Sequence, residues 1–185
     1  MNKEDRIILG IDPGTNLMGY GVIAVNGQQV KLVCMGVIDL KKLGDHYVKL
    51  GRIFERVTSI IDQYKPDELA IEAPFYGKNV QSMLKLGRAQ GVAMAACIAR
   101  KIPIFEYTPR KVKLAITGQG ASSKEQVAAM LKSILKEKEL PSDTFDATDA
   151  LGIAVCHFFQ SNSPIPDTKF NSWTDFISKN PKRVK

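Results

Sequence analysis

The sequence predicts an α/β fold in which a five-stranded mixed sheet carries helices on both faces. Three strand-like segments follow one another near the start of the chain, and helical and strand-like segments alternate after them. A length of 185 residues and an apolar content of 44% favour one domain with one main core. We expect this domain to span residues 1–160, followed by a weakly ordered tail, rich in Ser, Asn, Pro and Lys, over residues 161–185.

The first three strands are expected to form an antiparallel meander. Arg6–Asp12 is a nearly continuous apolar run that ends in an acid and a Pro-Gly turn, which is typical of a central strand. Residues 18–26 are rich in Val, Ile and Tyr, and Asn26-Gly27 is a hairpin signal before a third strand over residues 28–38.

Helices and strands then alternate. The apolar spacing over residues 47–64 predicts a helix that stops before Pro66, and residues 68–73 predict the fourth strand. A helix over residues 79–100 leads to a fifth strand at Ile104–Tyr107. In this layout the ends of the first and fourth strands lie side by side.

Three further helices complete the predicted domain. They cover Pro109–Thr117, residues 123–136 and residues 143–160. The second of these helices opens with Ser123 and carries Gln126 three residues later, which is the pattern of a capping box.

Small residues at four-residue spacing mark one side of the helix over residues 79–100. Gly87, Gly91 and Ala95 form a ridge that would let another backbone approach closely. We interpret this ridge as packing within the same core, and a subunit interface is the alternative.

Positive charge is concentrated in one part of the chain. Residues 73–124 contain nine basic residues and a single acid, Glu106, so this window carries +8, whereas the other 17 basic and 18 acidic residues sum to −1. A localised positive charge of this kind indicates a surface that neutralises phosphates, and an ordinary solvated helix face is the alternative. The nine basic residues are Lys78, Lys85, Arg88, Arg100, Lys101, Arg110, Lys111, Lys113 and Lys124.

Composition excludes several classes of protein. Cys34, Cys97 and Cys156 lie far apart, which argues against a disulfide framework and against a zinc cluster. The N-terminal residues are charged where a signal peptide needs an apolar stretch, and no window approaches the roughly 18 apolar residues that cross a bilayer. We therefore expect a cytoplasmic protein that does not associate with membranes.

Four acids stand where solvated surface charges are unusual. Asp12 ends the first strand, Glu72 ends the fourth, and Asp146 and Asp149 share one face near the start of the last helix. Singly, Asp12 has a simpler role in capping the Pro-Gly turn, and the two helical aspartates in complementing the helix dipole. Jointly, four carboxylates with no basic neighbour in sequence would repel one another unless a cation neutralises them.

Hard divalent cations fit such a site. Mg²⁺ prefers oxygen ligands and Mn²⁺ can replace it, and two ions about 4 Å apart need about three to four carboxylates. We therefore expect two Mg²⁺ ions per site and a hydrolytic reaction on a phosphodiester, with one ion activating water and the other stabilising the leaving oxygen. His157 lies on roughly the same helical face as Asp149, but a buried core histidine is the favoured interpretation.

Four segments of the chain resemble, in order, the signature blocks of the RuvC family of Holliday-junction resolvases: GIDPGTNLMGYGV, AIEAPFYGKNVQSMLKLGRAQGVA, FEYTPRKVKLAITGQGASSKEQV and DATDALGIAVCH. The resemblance implies a ribonuclease H-like fold and a homodimer that makes two symmetric, Mg²⁺-dependent nicks in four-way junction DNA. It also implies RuvA and RuvB as branch-migration partners. The family's metal-binding carboxylates correspond to Asp12, Glu72, Asp146 and Asp149, the same four acids that charge and placement indicate.

The resemblance also assigns roles outside the acids. Lys113 and Lys124 match the family's basic catalytic positions, and Lys124 follows Gly118 and Gly120 in the first turn of a helix, where free amides favour a phosphate. We expect Lys124 to hold a phosphate and Lys113 to stabilise developing charge. Two solvated surface lysines are the alternative.

An aromatic residue and several basic residues are expected to contact DNA. Phe75 matches a family aromatic that stacks on a base at the opened crossover, but Tyr76 replaces the aliphatic residue expected beside it, so either ring is a candidate. The remaining expected DNA contacts are Lys78, Lys85, Arg88, Arg110 and Lys111.

Two other functions are compatible with parts of this pattern. A sugar-kinase or actin-like ATPase lobe shares the fold and a similar acid-Gly-Thr turn, but it needs a second lobe for which 185 residues leave no room. A non-catalytic nucleic-acid binding module would use the basic window and leave the acids a structural role.

Overall fold

The computed structural model describes residues 5–73, 79–140 and 144–162, and within them the strands form one mixed sheet in the order β3-β2-β1-β4-β5. The antiparallel pairs β1–β2 and β2–β3 confirm the predicted meander, and β4 joins β1 in parallel, as β5 joins β4. The strands are β1 (Arg6–Asp12), β2 (Leu17–Asn26), β3 (Gln29–Asp39), β4 (Glu68–Glu72) and β5 (Ile104–Tyr107).

Helices cover both faces of this sheet, as the sequence predicts. One core lies between the sheet and α3, α4 and α5, and a second lies between the sheet and α1 and α2. Neighbouring residues on β1 alternate between them, because Ile8 belongs to the first core and Leu9 to the second. The helices are α1 (His46–Tyr64), α2 (Val80–Ile98), α3 (Pro109–Thr117), α4 (Lys124–Leu135) and α5 (Phe145–Asn162).

Local capping explains where the helices begin. Asp45 accepts hydrogen bonds from the amides of Tyr47 and Val48 and so caps α1. The Ser123 and Gln126 capping box at the start of α4 is present, which confirms that prediction. Residue 143, the expected start of the last helix, lies outside the described residues.

The last helix continues beyond the predicted end at residue 160. Ser161 and Asn162 belong to α5, and the Arg6 guanidinium donates to the Ser161 hydroxyl at 2.9 Å and to the Asn162 amide oxygen at 3.4 Å. These bonds join the end of α5 to the start of β1, whereas the rest of the expected tail lies outside the described residues.

The prediction that the Gly87, Gly91 and Ala95 ridge packs within the core is wrong. All three residues are exposed, and a Cβ atom added to either glycine would meet nothing within 4 Å. The buried side of α2 is formed instead by the adjacent positions Ala89 and Ala93. The repeat of small residues indicated a close approach but not which side of the helix faces the sheet.

None of the helices in the described ranges combines the length and the apolar character that a membrane crossing needs.

Close backbone contact joins α5 to the centre of the sheet. A Cβ atom at Gly10 of β1 would stand 2.2 Å from the Ala150 carbonyl oxygen, and one at Gly21 of β2 would stand 2.8 Å from the Leu151 Cα atom. Any side chain at either position would therefore push α5 away from the sheet. The two glycines therefore determine how closely α5 packs against the sheet.

We predict that Gly10→Ala destabilises the protein. The added methyl group clashes with the α5 backbone, and such overpacking costs about 1–3 kcal/mol or more. Gly51→Ala is the matched control, because Gly51 is exposed in α1 and an added Cβ atom has open space there. Urea denaturation should show lower stability for the first variant and unchanged or higher stability for the second; equal effects would contradict the packing argument.

Candidate active site

The ends of two neighbouring strands place the first two acids side by side. Asp12 is the last residue of β1 and Glu72 the last residue of β4. The strands run parallel with Ile11 opposite Ile71, so the next residues along lie at the same edge of the sheet. Both acids are partly buried there. The prediction that the ends of these two strands lie side by side is confirmed.

The first turns of α5 carry the other two acids to the same edge. The backbone carbonyl of Asp146 lies against Gly19, where an added Cβ atom would approach within 1.9 Å. Gly19 is the β2 partner of Asp12, so this contact brings the start of α5 beside the end of β1. Asp149 follows one helical turn later.

A pocket of about 310 Å³ opens between these elements. Asp12, Glu72 and Asp149 line this pocket, and so do Lys113 and Lys124. The remaining wall is mostly apolar, from α3, α4 and α5: Pro109, Val112, Val127 and Ile153. Asp146 does not line this pocket. The site is therefore an acidic cluster with two cations at its border.

Burial and mutual repulsion disfavour ionisation within the cluster. The pKa of Asp12 is raised from an ordinary 3.8 to about 8, first by burial and then by the charges of Glu72, Asp149 and Asp146. Burial also raises the pKa of Glu72, with Asp149 adding to it. Lys124 opposes both shifts but does not cancel them. If all three carboxylates of the pocket were ionised, their negative charge would exceed the charge of its two lysines.

Lys124 forms the direct ion pair of the site. Its ammonium donates to Asp149 Oδ2 at 2.5 Å, and this bond raises the pKa of Lys124. The same ammonium lies 5.7 Å from the centre of the exposed Phe145 ring. Across the described ranges, no three acidic, histidine or cysteine side chains already converge as metal ligands. The Asp149 carboxylate is paired with the Lys124 ammonium.

The other expected DNA-binding residues do not line the pocket. Lys85 and Arg88 are exposed on α2, and Arg110 and Lys111 are exposed on α3. Lys111 lies over the Tyr107 ring, with 5.1 Å between its ammonium and the ring centre. The remaining candidates, Phe75, Tyr76 and Lys78, lie outside the described residues.

Gln90 supports the site from the opposite face of the sheet, and sequence reasoning missed it. This buried residue of α2 donates from its amide nitrogen to the Glu72 carbonyl oxygen at 2.9 Å and to the Glu106 carboxylate at 3.0 Å. It thereby holds the end of β4 in place. A polar residue between the apolar positions Ala89 and Ala93 was the available signal.

His157 is a core residue and does not line the pocket. It is 2% exposed, its Nδ1 atom is paired with the Tyr107 hydroxyl at 2.6 Å, and its Nε2 atom is paired with Glu68 at 2.9 Å. Burial lowers its pKa. Sequence reasoning favoured this structural role, and the contacts confirm it.

Comparison with known proteins identifies the family. A sequence profile described as crossover junction endodeoxyribonuclease RuvC matches residues 8–157. The RuvC protein of Bacteroides fragilis is 60% identical over 183 residues, covering 98% of this chain and 97% of the relative, and that of Cytophaga hutchinsonii is 60% identical over 98% of this chain and 89% of the relative. This chain belongs to the RuvC family.

Solved RuvC structures share its architecture. Thermus thermophilus RuvC in complex with a Holliday junction substrate aligns with a TM-score of 0.79 and 32% identity, covering 85% of this chain and 95% of that chain. The fold is thus the ribonuclease H-like α/β fold of RuvC. The yeast mitochondrial resolvase Ydc2, at 13% identity and a TM-score of 0.62, shares the fold.

We predict that Asp12→Asn makes the metal-free protein more stable at neutral and alkaline pH. Between an unfolded pKa near 3.8 and a folded pKa of about 8, only the folded state keeps the Asp12 proton. The contribution of Asp12 to the free energy of unfolding is therefore fully present below about pH 4, and it is lost as the pH rises through about 8. Asparagine removes the ionisation and should add about 1–3 kcal/mol at about pH 8.

Urea denaturation in chelator between about pH 5 and about pH 8 measures this effect. Glu55→Gln is the control, because Glu55 is an exposed acid on α1 with 69% of its side chain accessible. A variant that keeps the wild-type pH slope would contradict the proposed burial of charge at Asp12.

Proposed function

We propose that this chain resolves four-way DNA junctions by metal-dependent hydrolysis of phosphodiester bonds, with Asp12, Glu72, Asp146 and Asp149 as the metal-binding and catalytic acids. The observation that carries the proposal is the acidic cluster at the joined ends of β1, β4 and α5 in a member of an endodeoxyribonuclease family. It acts in recombination and repair of DNA, where such junctions form.

The donor set suits a hard divalent cation. All the candidate ligands are carboxylate oxygens, which Mg²⁺ and Mn²⁺ prefer over nitrogen or sulfur. Burial first and the neighbouring acids second raise the pKa of Asp12, and a bound cation would offset both effects by favouring the ionised carboxylate. When bound, two such ions supply an activated water and positive charge at the phosphate. Asp149 would then exchange its Lys124 partner for a metal ion.

The lysines act on the phosphate. Lys124, at the first residue of α4, has an ammonium beside the acids and a neighbouring helix N-terminus, both of which attract an anion. We assign it to holding the scissile or neighbouring phosphate once Asp149 releases it. Lys113 lines the same pocket from α3 and stabilises charge that develops on the phosphate.

Exposed basic residues extend the DNA-binding surface beyond the pocket. Arg110 and Lys111 stand at the start of α3, between the pocket residues Pro109 and Lys113, and Lys85 and Arg88 stand on α2. Their charges suit contacts with the DNA backbone, which favour binding without reading sequence. Phe75 and Lys78, in the segment after β4, complete the proposed DNA contacts.

A homodimer would give the two symmetric cuts that junction resolution requires, and we place its interface on α2. The exposed ridge of Gly87, Gly91 and Ala95 continues into exposed Leu84 and Ile98, which are 52% and 63% accessible. Apolar and small residues together suit close helix packing between subunits. We further propose a cytoplasmic location, RuvA and RuvB as partners, and a nuclease domain over residues 1–160 followed by a C-terminal segment over residues 161–185.

We predict that Asp146→Asn abolishes cleavage but leaves junction binding intact. Loss of a direct metal ligand should reduce the nicking rate by more than about 100-fold, because even outer-shell changes cost about 10- to 100-fold. A synthetic four-way junction incubated with Mg²⁺, Mn²⁺ or chelator measures nicking, and a gel-shift assay measures binding.

Glu55→Gln serves again as the exposed-acid control and should cleave like the wild type. Binding without cleavage by the wild type in every metal would support the non-catalytic binding module. Unchanged cleavage by Asp146→Asn would remove this residue from the mechanism.

We predict that Lys124→Gln slows cleavage by about 10²–10³-fold through loss of charge stabilisation at the phosphate. The ion pair with Asp149 is half exposed, so stability should change by less than about 1 kcal/mol. Lys132→Gln is the matched control, because Lys132 lies on the same helix and pairs with Glu139 at 2.8 Å outside the pocket. The measurement is the single-turnover cleavage rate of each variant. An equal fall in rate for Lys124→Gln and Lys132→Gln would contradict a specific role for Lys124.

A further inference from the structure

A second cavity lies far from the acidic cluster. It has a volume of about 440 Å³ and runs between the β2–β3 hairpin, the end of α4 and the end of α5; we call it the hairpin groove. Its apolar wall includes Val30, Ile134 and Phe159, which are each partly exposed. Lys31 and Lys136 stand exposed at its border. An open groove with an apolar wall suits an apolar segment of peptide.

The groove is separate from the nuclease site. The acids lie at the first turns of α5 and the groove at its last turns, so Asp149 and Phe158 are separated by about 14 Å of helix at about 1.5 Å per residue. The proposed nuclease function therefore leaves the groove without a role.

The last described residue of the chain lies beside this groove. Asn162 ends α5, and its amide nitrogen donates to the Gly27 carbonyl oxygen at 3.3 Å. Gly27 forms the turn of the hairpin that lines the groove. Residue 163 thus starts at the rim, and the seven residues up to 169 reach at most about 25 Å. The residues just after 169 are therefore within reach of the groove.

The segment beyond α5 carries a concentrated set of large apolar side chains. Phe170, Trp173, Phe176 and Ile177 fall within eight residues, and Asp175 lies among them. The flanking residues are mostly polar, so these side chains are the ones that gain from burial. The acid in this segment matches the lysines at the groove border in charge.

We propose that residues 170–177 of the chain dock in its own hairpin groove. The aromatic side chains cover the apolar wall at Val30, Ile134 and Phe159, and Asp175 faces the lysines at the border. Docking fixes the final residues 178–185, which contain four basic residues and no acid, to the body of the domain. This assignment does not depend on the nuclease proposal.

Trp173 makes the test direct, because it is the only tryptophan of the chain. In the full-length protein we expect its emission to be blue-shifted relative to urea-unfolded protein and its acrylamide quenching to be several-fold weaker. Val30→Gln and Ile134→Gln should each return emission and quenching toward the unfolded values. Val33→Gln is the control, since Val33 is an exposed residue of the same strand outside the groove and should change neither.

A second measurement uses the unmodified chain and so does not depend on whether the groove variants fold. Carbodiimide joins carboxylates to amines in direct contact, and we expect a link from Asp175 to Lys31 or Lys136. Mixing isotope-labelled and unlabelled chains separates links within one chain from links between chains. A fully quenchable Trp173 without such links would overturn the proposal, and links found only between chains would assign the groove to a second copy.

Discussion

The packing of α5 against the middle of the sheet is the constraint on which the rest of this structure depends. Gly10, Gly19 and Gly21 leave no side chain between the strands and the α5 backbone, so helix and sheet meet at backbone distance. This contact places Asp146 and Asp149 beside the ends of β1 and β4. It also buries the centre of α5, where Ala150, Leu151 and Ala154 are fully inaccessible. The same contact therefore supports both the core and the site.

Charge at the site works against folding. Burial, and after it the charges of the neighbouring acids, raises the pKa of Asp12 to about 8. A protein tolerates such repulsion where function needs it, because stability lost locally is offset by a well-packed core elsewhere. Lys124 supplies one internal counter-charge through Asp149. The site is thus preorganised to accept positive charge from outside the chain.

Several features of the fold and the site were predictable from local pattern. The strands, the capping box of α4 and the four acids follow from alternation, spacing and the placement of charge at strand ends. The orientation of α2 was not predictable, because apolar and small residues occupy both its buried and its exposed sides. Gln90 was missed for a related reason: its partners, Glu72 and Glu106, come from two strands that only the folded sheet brings together.

The sequence by itself determined the class of fold, the family and the position of the four acids at strand ends and at the start of the last helix, because these depend on residue type and on short-range periodicity. Only the tertiary structure decided which groups meet. Two sets of contacts join residues that are distant in sequence: the ion pair between Lys124 and Asp149, and the pairing of His157 with Tyr107 and Glu68. The tertiary structure also decided that the ridge on α2 faces outward. Such contacts depend on how closely helices lie on the sheet, and backbone packing at a few glycines determines that distance.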